Sequence, residues 1–241
     1  MILVVGLGPG GCDQMTGRAA AALERCDVIL GYKTYIDLIQ PLFDGRKELL
    51  SSPMRGEEER CREALRRSLN GQTVGLVSSG DPGVYGMAGI MLEIAAGKTE
   101  VQIIPGMTAA CTAAAVLGAP LMHDFAVISL SDLLTPWTTI EKRLTAAAAA
   151  DFIICLYNPA SVGRPHHLRR AAEVIMRHRE PETPAGWVRN AGRSDESHGI
   201  STLAQIADEP IDMLCTVIIG SSSTRLIDDR MVTPRGYGAE Q

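Results

Sequence analysis

Gly80-Asp81-Pro82-Gly83-Val84-Tyr85-Gly86 sets one carboxylate among three glycines and a proline, and this stretch is the best equipped in the chain to meet a ligand. Glycine lets the main chain approach a small molecule closely, proline fixes one backbone dihedral, and a carboxylate accepts hydrogen bonds. Asp81 could face that ligand or cap the helix that follows. Turns of similar make-up recur at Gly6-Leu7-Gly8-Pro9-Gly10-Gly11, Pro105-Gly106-Met107-Thr108 and Tyr157-Asn158-Pro159-Ala160-Ser161. Gly6, Gly8 and Gly11 formally fit the dinucleotide pattern G-x-G-x-x-G. The second strand, however, runs into Gly31-Tyr32-Lys33 where a ribose-binding acid is required, and Pro9 stiffens a loop that should offer free N–H groups. That loop reads as a crevice wall or as a tight turn only. Gly-x-Ser-x-Gly, Walker and metal-ligand spacings are absent from the sequence. His166 and His167 are neighbours, about 100° apart on a helix, and read as surface histidines rather than a metal pair.

These turns need elements to hold them. Thr73–Val77 reads as a buried strand entering the Gly80 turn, Ile2–Val5 enters the first glycine loop, Val101–Ile104 enters Pro105, and Phe152–Leu156 enters Tyr157. Further strands are expected at Asp27–Leu30, Phe125–Leu130, Gly186–Ala191, Cys215–Ile219 and Met231–Val232. Helices are expected at Thr16–Cys26, directly after Gly83, at Gly56–Leu69, Ala109–Leu117, from Thr135-Pro136 onward, and at Pro165–His178. In Gly56–Leu69 the acids Glu57, Glu58 and Glu59 open the helix and Arg62, Arg66 and Arg67 follow, as its dipole favours. Cys61, Leu65 and Leu69 form its expected buried stripe. Gly31–Tyr35 reads as a loop carrying two aromatics and a cation. Strand, turn and helix in succession build an open α/β sheet with ligands at the carboxyl ends of its strands. Gly118-Ala119-Pro120 divides the chain into two α/β halves, 1–118 and 119–241.

Composition narrows the classes. The 241 residues are 46% hydrophobic and 21% charged, as in ordinary soluble proteins. A net charge of −5 gives no electrostatic reason to bind nucleic acid. The apolar run at Met1 is too short for a signal peptide, no span is long enough for a bilayer, and six scattered cysteines suggest neither zinc nor disulfides. A reduced, cytoplasmic small-molecule enzyme is expected.

Gly6-Leu7-Gly8-Pro9-Gly10, Gly80-Asp81-Pro82-Gly83-Val84-Tyr85 and Pro105-Gly106-Met107-Thr108-Ala109, in this order, resemble the tetrapyrrole methylases, and the resemblance runs essentially end to end. It implies two α/β domains of the tetrapyrrole methylase type with the active site in the cleft between them. Gly31–Tyr35, Met122–Phe125, Ser129–Trp137, Phe152–Pro159 and Thr233–Tyr237 resemble one subfamily, the C17-methyltransferases of cobalamin biosynthesis. Members act on precorrin-3B or cobalt-factor III, methylating C17 and promoting ring contraction with extrusion of the C20 meso carbon. The wording of Gly31–Tyr35 and Ser129–Trp137 is closer to the cobalt branch. The alternatives are a methylase of this fold with another substrate (uroporphyrinogen, a diphthamide precursor or ribosomal RNA) and a non-catalytic tetrapyrrole carrier.

The resemblance also implies S-adenosylmethionine as methyl donor, a homodimer, and no metal beyond any carried by the substrate. It assigns the cofactor to Pro9, Gly80, Asp81, Val84, Tyr85, Thr108, Ala109, Tyr157, Asn158, Cys215 and Thr216. Such a site needs no strong nucleophile, because the sulfonium is already activated and an electron-rich ring carbon attacks it. Candidates for proton transfer are His123, Asp124, Ser129 and Asp132, although His123 could be a structural histidine and Asp132 a helix cap. Gly8, Lys33, Arg164, Arg189, Arg193 and Arg235 are candidates to meet the tetrapyrrole and its carboxylates, arginine offering the forked geometry. Each of these cations could equally be solvated.

Overall fold

The computed structural model describes residues 1–10, 12–43, 45–53 and 56–237. The chain divides into two units, Met1–Ala109 and Ala110–Gln241. In the first, β1 (Ile2–Gly6), β2 (Val28–Tyr32), β3 (Glu48–Ser52), β4 (Val74–Ser78) and β5 (Val101–Ile104) form a parallel sheet in the order β3-β2-β4-β1-β5. Helices cover both faces, which is why the inner strands read as unbroken apolar runs. Leu3, Val5, Ile29 and Val77 pack against α1 (Gly17–Glu24) and α2 (Lys33–Ile39). Ile2, Val4, Leu30 and Leu76 pack against α3 (Glu57–Leu69) and α4 (Ala88–Ala95). The chain thus leaves β1 towards one face and β4 towards the other. Neighbouring strands whose connections depart in opposite directions leave a crevice at their carboxyl ends.

The second unit holds α5 (Ala109–Leu117), β6 (Gly118–Ala119), β7 (Phe125–Ser129), α6 (Trp137–Ala149), β8 (Ile153–Tyr157), α7 (His167–Ile175), β9 (Pro184–Arg189), β10 (Ser197–Thr202), β11 (Cys215–Ile219), β12 (Arg225–Ile227) and β13 (Arg230–Val232). Its main sheet runs β10-β9-β11-β8-β7, with β7 and β8 parallel and the other pairs antiparallel, and a small sheet runs β12-β13-β6. One face buries Ile154, Leu156, Trp187 and Val217 under α6 and α7. The other buries Ile153, Cys155, Val188 and Ile218 against Ala110, Ala113 and Leu117 of α5 and Met231. Behind α7, the buried Arg179 guanidinium pairs with Asp151 and donates to the carbonyls of Ala148 (3.2 Å) and Phe152 (2.9 Å). Asp151 also accepts from Ser222 N (2.9 Å) and Oγ (2.7 Å). Burial opposes its ionisation, but the Ser222 bonds and the Arg179 charge together hold its carboxyl below the usual range.

Several expectations shift. The two units divide between Ala109 and Ala110, in the first turn of α5, whose alanine face packs into the second unit. Gly31–Tyr35 is not a loop: Gly31 and Tyr32 finish β2, and Lys33 opens α2, which is anchored by buried Ile36 and Ile39. The helix expected directly after Gly83 begins only at Ala88. The buried stripe of α3 is Arg60, Cys61, Ala64 and Ser68, whereas Leu69 is exposed. Gly11, the third glycine of the fingerprint, lies outside the described residues.

Candidate active site

At the carboxyl ends of β1, β4 and β5, three loops are joined backbone to backbone. Leu7 N donates to Ser78 O at 2.9 Å, Gly8 N to Gly80 O at 3.1 Å, and Gly80 N to Gly8 O at 2.8 Å. No side chain fits at this junction. A Cβ on Gly106 would lie 2.2 Å from Gly80 O, and one on Gly6 would lie 2.7 Å from Gly106 N. Asp81 is not the cap of α4, whose first turn starts well beyond it with Met87 at the cap position. Its Oδ1 accepts from Gly83 N (2.8 Å) and its Oδ2 from Gly106 N (3.1 Å), so it braces the β4 loop to the β5 loop. Val84 follows half-buried. Tyr85 adopts a φ of 53°, rare for a non-glycine residue, while 58% exposed. Pro9 and Gly8 are buried beside the junction, and Thr108 and Ala109 are half-buried at the end of the β5 loop. The result is a rigid rim made largely of main chain, packed so closely that Gly6 and Gly106 leave no room for a side chain.

The second unit gathers polar side chains at its strand ends. Ser129, Tyr157 and Thr216 share one sheet face because they fall two residues from Val127, Cys155 and Ile218 on that face. Tyr157 Oη accepts from Ala110 N at 2.7 Å and so satisfies a free N–H at the start of α5. Asn158, at a φ of 52°, donates from Nδ2 to Ser129 Oγ at 3.0 Å. Ser131 N donates to the same hydroxyl at 3.2 Å. Cys215 departs from this arrangement. The strand alternation turns its thiol to the opposite face, into the core beneath α6 and α7, where burial pushes it up to about 11. Asp132 does not cap α6, whose cap position is Pro136 without a side-chain bond. Its Oδ2 lies 2.9 Å from Nε2 of His167, and that bond holds the carboxyl below its usual range. His167 is therefore not a surface histidine: it is buried, with Trp137 edge-on at 5.0 Å.

Residues 1–207 match the profile of the Tetrapyrrole (Corrin/Porphyrin) Methylases. The chain belongs to this family. It is 48% identical to a probable cobalt-factor III C(17)-methyltransferase of Salmonella typhimurium over 240 residues, 98% of this chain and 99% of the relative. It is similar to the crystal structure of the methyltransferase CobJ with a TM-score of 0.91 at 37% identity, over 97% of this chain and 99% of that one. A uroporphyrin-III C-methyl transferase of Thermus thermophilus, solved in complex with S-adenyl homocysteine, shares the fold at a TM-score of 0.69 and 22% identity, over 91% and 96% of the two chains. Some curated relatives are longer, and this chain spans 45% and 52% of two of them.

In this methylase the four proton-transfer candidates separate into two places. His123 and Asp124 precede the five-residue strand β7, whereas Ser129 ends it and Asp132 follows. At about 3.3 Å per residue the two groups stand about 16 Å apart along the strand. His123 Nε2 donates to the carbonyl of Pro234 at 3.0 Å and thereby joins the terminal segment that carries Arg235. That segment is anchored by buried Thr233, whose Oγ1 meets Thr224 Oγ1 at 2.7 Å.

The candidate cations differ in how committed they are. Lys33 pairs with Asp37 at 2.8 Å on the exposed face of α2, not from a loop. Arg189 Nε lies 3.0 Å from Asp212 Oδ2, close enough for an ion pair but misaligned for a hydrogen bond. Arg164 donates to Leu130 O (3.1 Å) and Ser161 Oγ (3.2 Å), steadying the backbone just before Asp132. Arg193 lies half-buried in the turn after Asn190. Arg235 is exposed and makes no side-chain hydrogen bond or ion pair among the described residues. Sequence reasoning missed His167. The available signal was its place one residue before Leu168 and four before Ala171, on the buried side of α7.

Proposed function

We propose that this methylase transfers the methyl group of S-adenosylmethionine to C17 of cobalt-factor III and promotes contraction of its ring with extrusion of C20. The single observation that carries this reading is the end-to-end identity with the Salmonella relative, whose name states that substrate. The relatives' names favour the cobalt-bearing substrate over precorrin-3B. The cobalt belongs to the substrate. A cytoplasmic location and a homodimeric state accompany the reading.

The residues present suit the donor. A sulfonium supplies its methyl group already activated, so the protein needs to hold and orient rather than to attack. The junction of Gly6, Gly80 and Gly106 offers a main-chain rim in which Gly6 and Gly106 have no room for a side chain. Asp81 fixes the spacing of its two loops, and such fixed geometry is how positioning accelerates group transfer. Pro9, Val84, Tyr85, Thr108 and Ala109 would complete this wall. In the second unit Tyr157, Asn158 and Thr216 would present polar groups from one sheet face. Of the proton-transfer candidates, Ser129 and Asp132 suit the role better than His123 and Asp124. The Ser129 hydroxyl sits in a bonded chain with Asn158, and the Asp132 carboxylate is oriented by its bond to His167. Arg235, uncommitted and exposed, would meet a carboxylate of the tetrapyrrole.

Calorimetric titration with S-adenosylhomocysteine, followed by incubation with S-adenosylmethionine and either cobalt-factor III or precorrin-3B, tests the proposal. Binding and a one-methyl mass gain on cobalt-factor III are expected. Tetrapyrrole binding without affinity for S-adenosylhomocysteine would make the chain a carrier instead.

A further inference from the structure

Arg60 lies on the inner side of α3 and is 6% exposed, yet none of the ion pairs among the described residues includes it. Among the described residues its guanidinium meets neutral acceptors alone: Ser52 Oγ at 2.7 Å from Nε, Pro53 O at 3.3 Å from Nη2, and Met87 Sδ at 3.7 Å from Nη1. Of the four acids on its own helix, Glu58 is taken by Arg62 and Glu63 by Arg66 and Arg67, while Glu57 and Glu59 are exposed in the first turn and form no ion pair with Arg60. A guanidinium withdrawn from water normally has a carboxylate opposite it, because desolvation without a counter-charge is costly. Its place in the first turns of a helix adds an unfavourable dipole.

A second irregularity lies on the same sheet face. Ser78, the last residue of β4, is 5% exposed, and its Oγ has no hydrogen-bond partner among the described residues. Ser78 follows Leu76 by two residues, so it faces the layer of α3 and α4 that holds Met87. Tyr32 pairs with Ser52, and Gly6 with Ser78, so these residues form one row across the carboxyl ends of β3, β2, β4 and β1. An unpaired cation and an unpaired hydroxyl therefore border the same end of the sheet as the glycine junction.

We infer that Arg60 and Ser78 form a carboxylate subsite of this methylase, the guanidinium supplying charge and the hydroxyl a further donor. The inference rests on the methyltransferase reading, which supplies two sources of that group: an acetate or propionate arm of the tetrapyrrole, or the amino-acid end of the donor. The full chain is titrated with cobalt-factor III and, separately, with S-adenosylhomocysteine, as wild type, Arg60→Gln, Arg60→Lys and Ser78→Ala, with thermal melting of each ligand-free protein. Arg60→Gln should weaken one of the two ligands by roughly 10–100-fold, and Arg60→Lys should restore part of the loss. Ser78→Ala should weaken the same ligand several-fold while leaving the melting temperature unchanged or higher, because it removes an unsatisfied buried hydroxyl. Which ligand responds identifies the source. Wild-type affinity for both ligands in Ser78→Ala, and in whichever Arg60 variant folds, would overturn the subsite and leave Arg60 as a loop brace. Wild-type protein that binds S-adenosylhomocysteine but not the tetrapyrrole would overturn the functional reading instead. The subsite would then be judged on the S-adenosylhomocysteine series alone.

Discussion

The strand ends of the first unit are joined mainly by main-chain atoms, whereas those of the second are joined by side chains. Gly8 and Gly80 exchange two backbone bonds, and Gly106 is packed against Gly80 and bonded to the Asp81 carboxylate. Across the second sheet, Ser129 meets Asn158, Tyr157 meets the start of α5, and Asp132 meets His167. The difference predicts different tolerance. A main-chain junction admits no added atom, while a side-chain network loses one bond at a time.

The largest effect should come from the first kind. In Gly106→Ala the new Cβ meets the Gly80 carbonyl, which is itself fixed by the bridge to Gly8. Overpacking against immobile backbone should destabilise the protein by about 3 kcal/mol or more and abolish S-adenosylhomocysteine binding. Chemical denaturation and calorimetry would show it. Near-native stability would mean that the loops can move apart and that the main-chain junction is not rigid.

Arg179→Ala probes the strongest side-chain clasp of the second unit. Loss of the guanidinium leaves two carbonyls without their donor and Asp151 without its counter-charge, and should cost about 3 kcal/mol, the lower end for a buried pair because Asp151 stays partly exposed and keeps its Ser222 bonds. S-adenosylhomocysteine affinity should be retained in the fraction that remains folded. A smaller cost, approaching that of a surface pair, would place the clasp among dispensable contacts.

Tyr157→Phe keeps the ring and removes the hydroxyl that accepts from Ala110 N. About 1–2 kcal/mol is expected in a urea titration, with the slope unchanged. A cost equal to that of Gly106→Ala would erase the distinction between the two regions.

The smallest effect lies on the outer surface of α3. Bonds from Arg66 and Arg67 lower the Glu63 carboxyl from 4.5 to about 2. A depressed carboxylate contributes stability above its unfolded value, and that contribution disappears as pH falls from 4.5 through about 2. Solvent screening limits it to below about 1 kcal/mol. Glu63→Gln should therefore flatten the acid limb of the stability profile and change little at neutral pH. An unchanged acid limb would mean that the pair is fully screened.

The same contrast explains what could be read from the sequence. Buried parallel strands such as β1 and β4, and the glycine turns beyond them, are written as local apolar runs and breaks, so the elements carrying the first-unit rim were legible. The edge strands β3 and β10, rich in polar residues and half-exposed, carry no such run and were not anticipated. Pairings between residues far apart in the chain were equally hidden. His167 and Asp132 are separated by 35 positions, and Asp81 and Gly106 by 25. Side chains that alternate across a strand also mislead when adjacent residues are grouped, as Cys215 and Thr216 were. The α3 stripe was partly misplaced: Ala64 and Ser68 join Cys61 as its buried positions, Leu65 packs half-buried against the same core, and Leu69 is exposed; small side chains let the helix lie close.

Regiochemistry tests the account most directly. The purified chain is supplied with cobalt-factor III and S-adenosylmethionine carrying an isotopically labelled methyl group, and the product is mapped by nuclear magnetic resonance. The account predicts a single labelled methyl at C17 of a ring-contracted macrocycle, with S-adenosylhomocysteine formed in equal amount. Label on any other carbon, or S-adenosylhomocysteine release without a labelled tetrapyrrole, would contradict it.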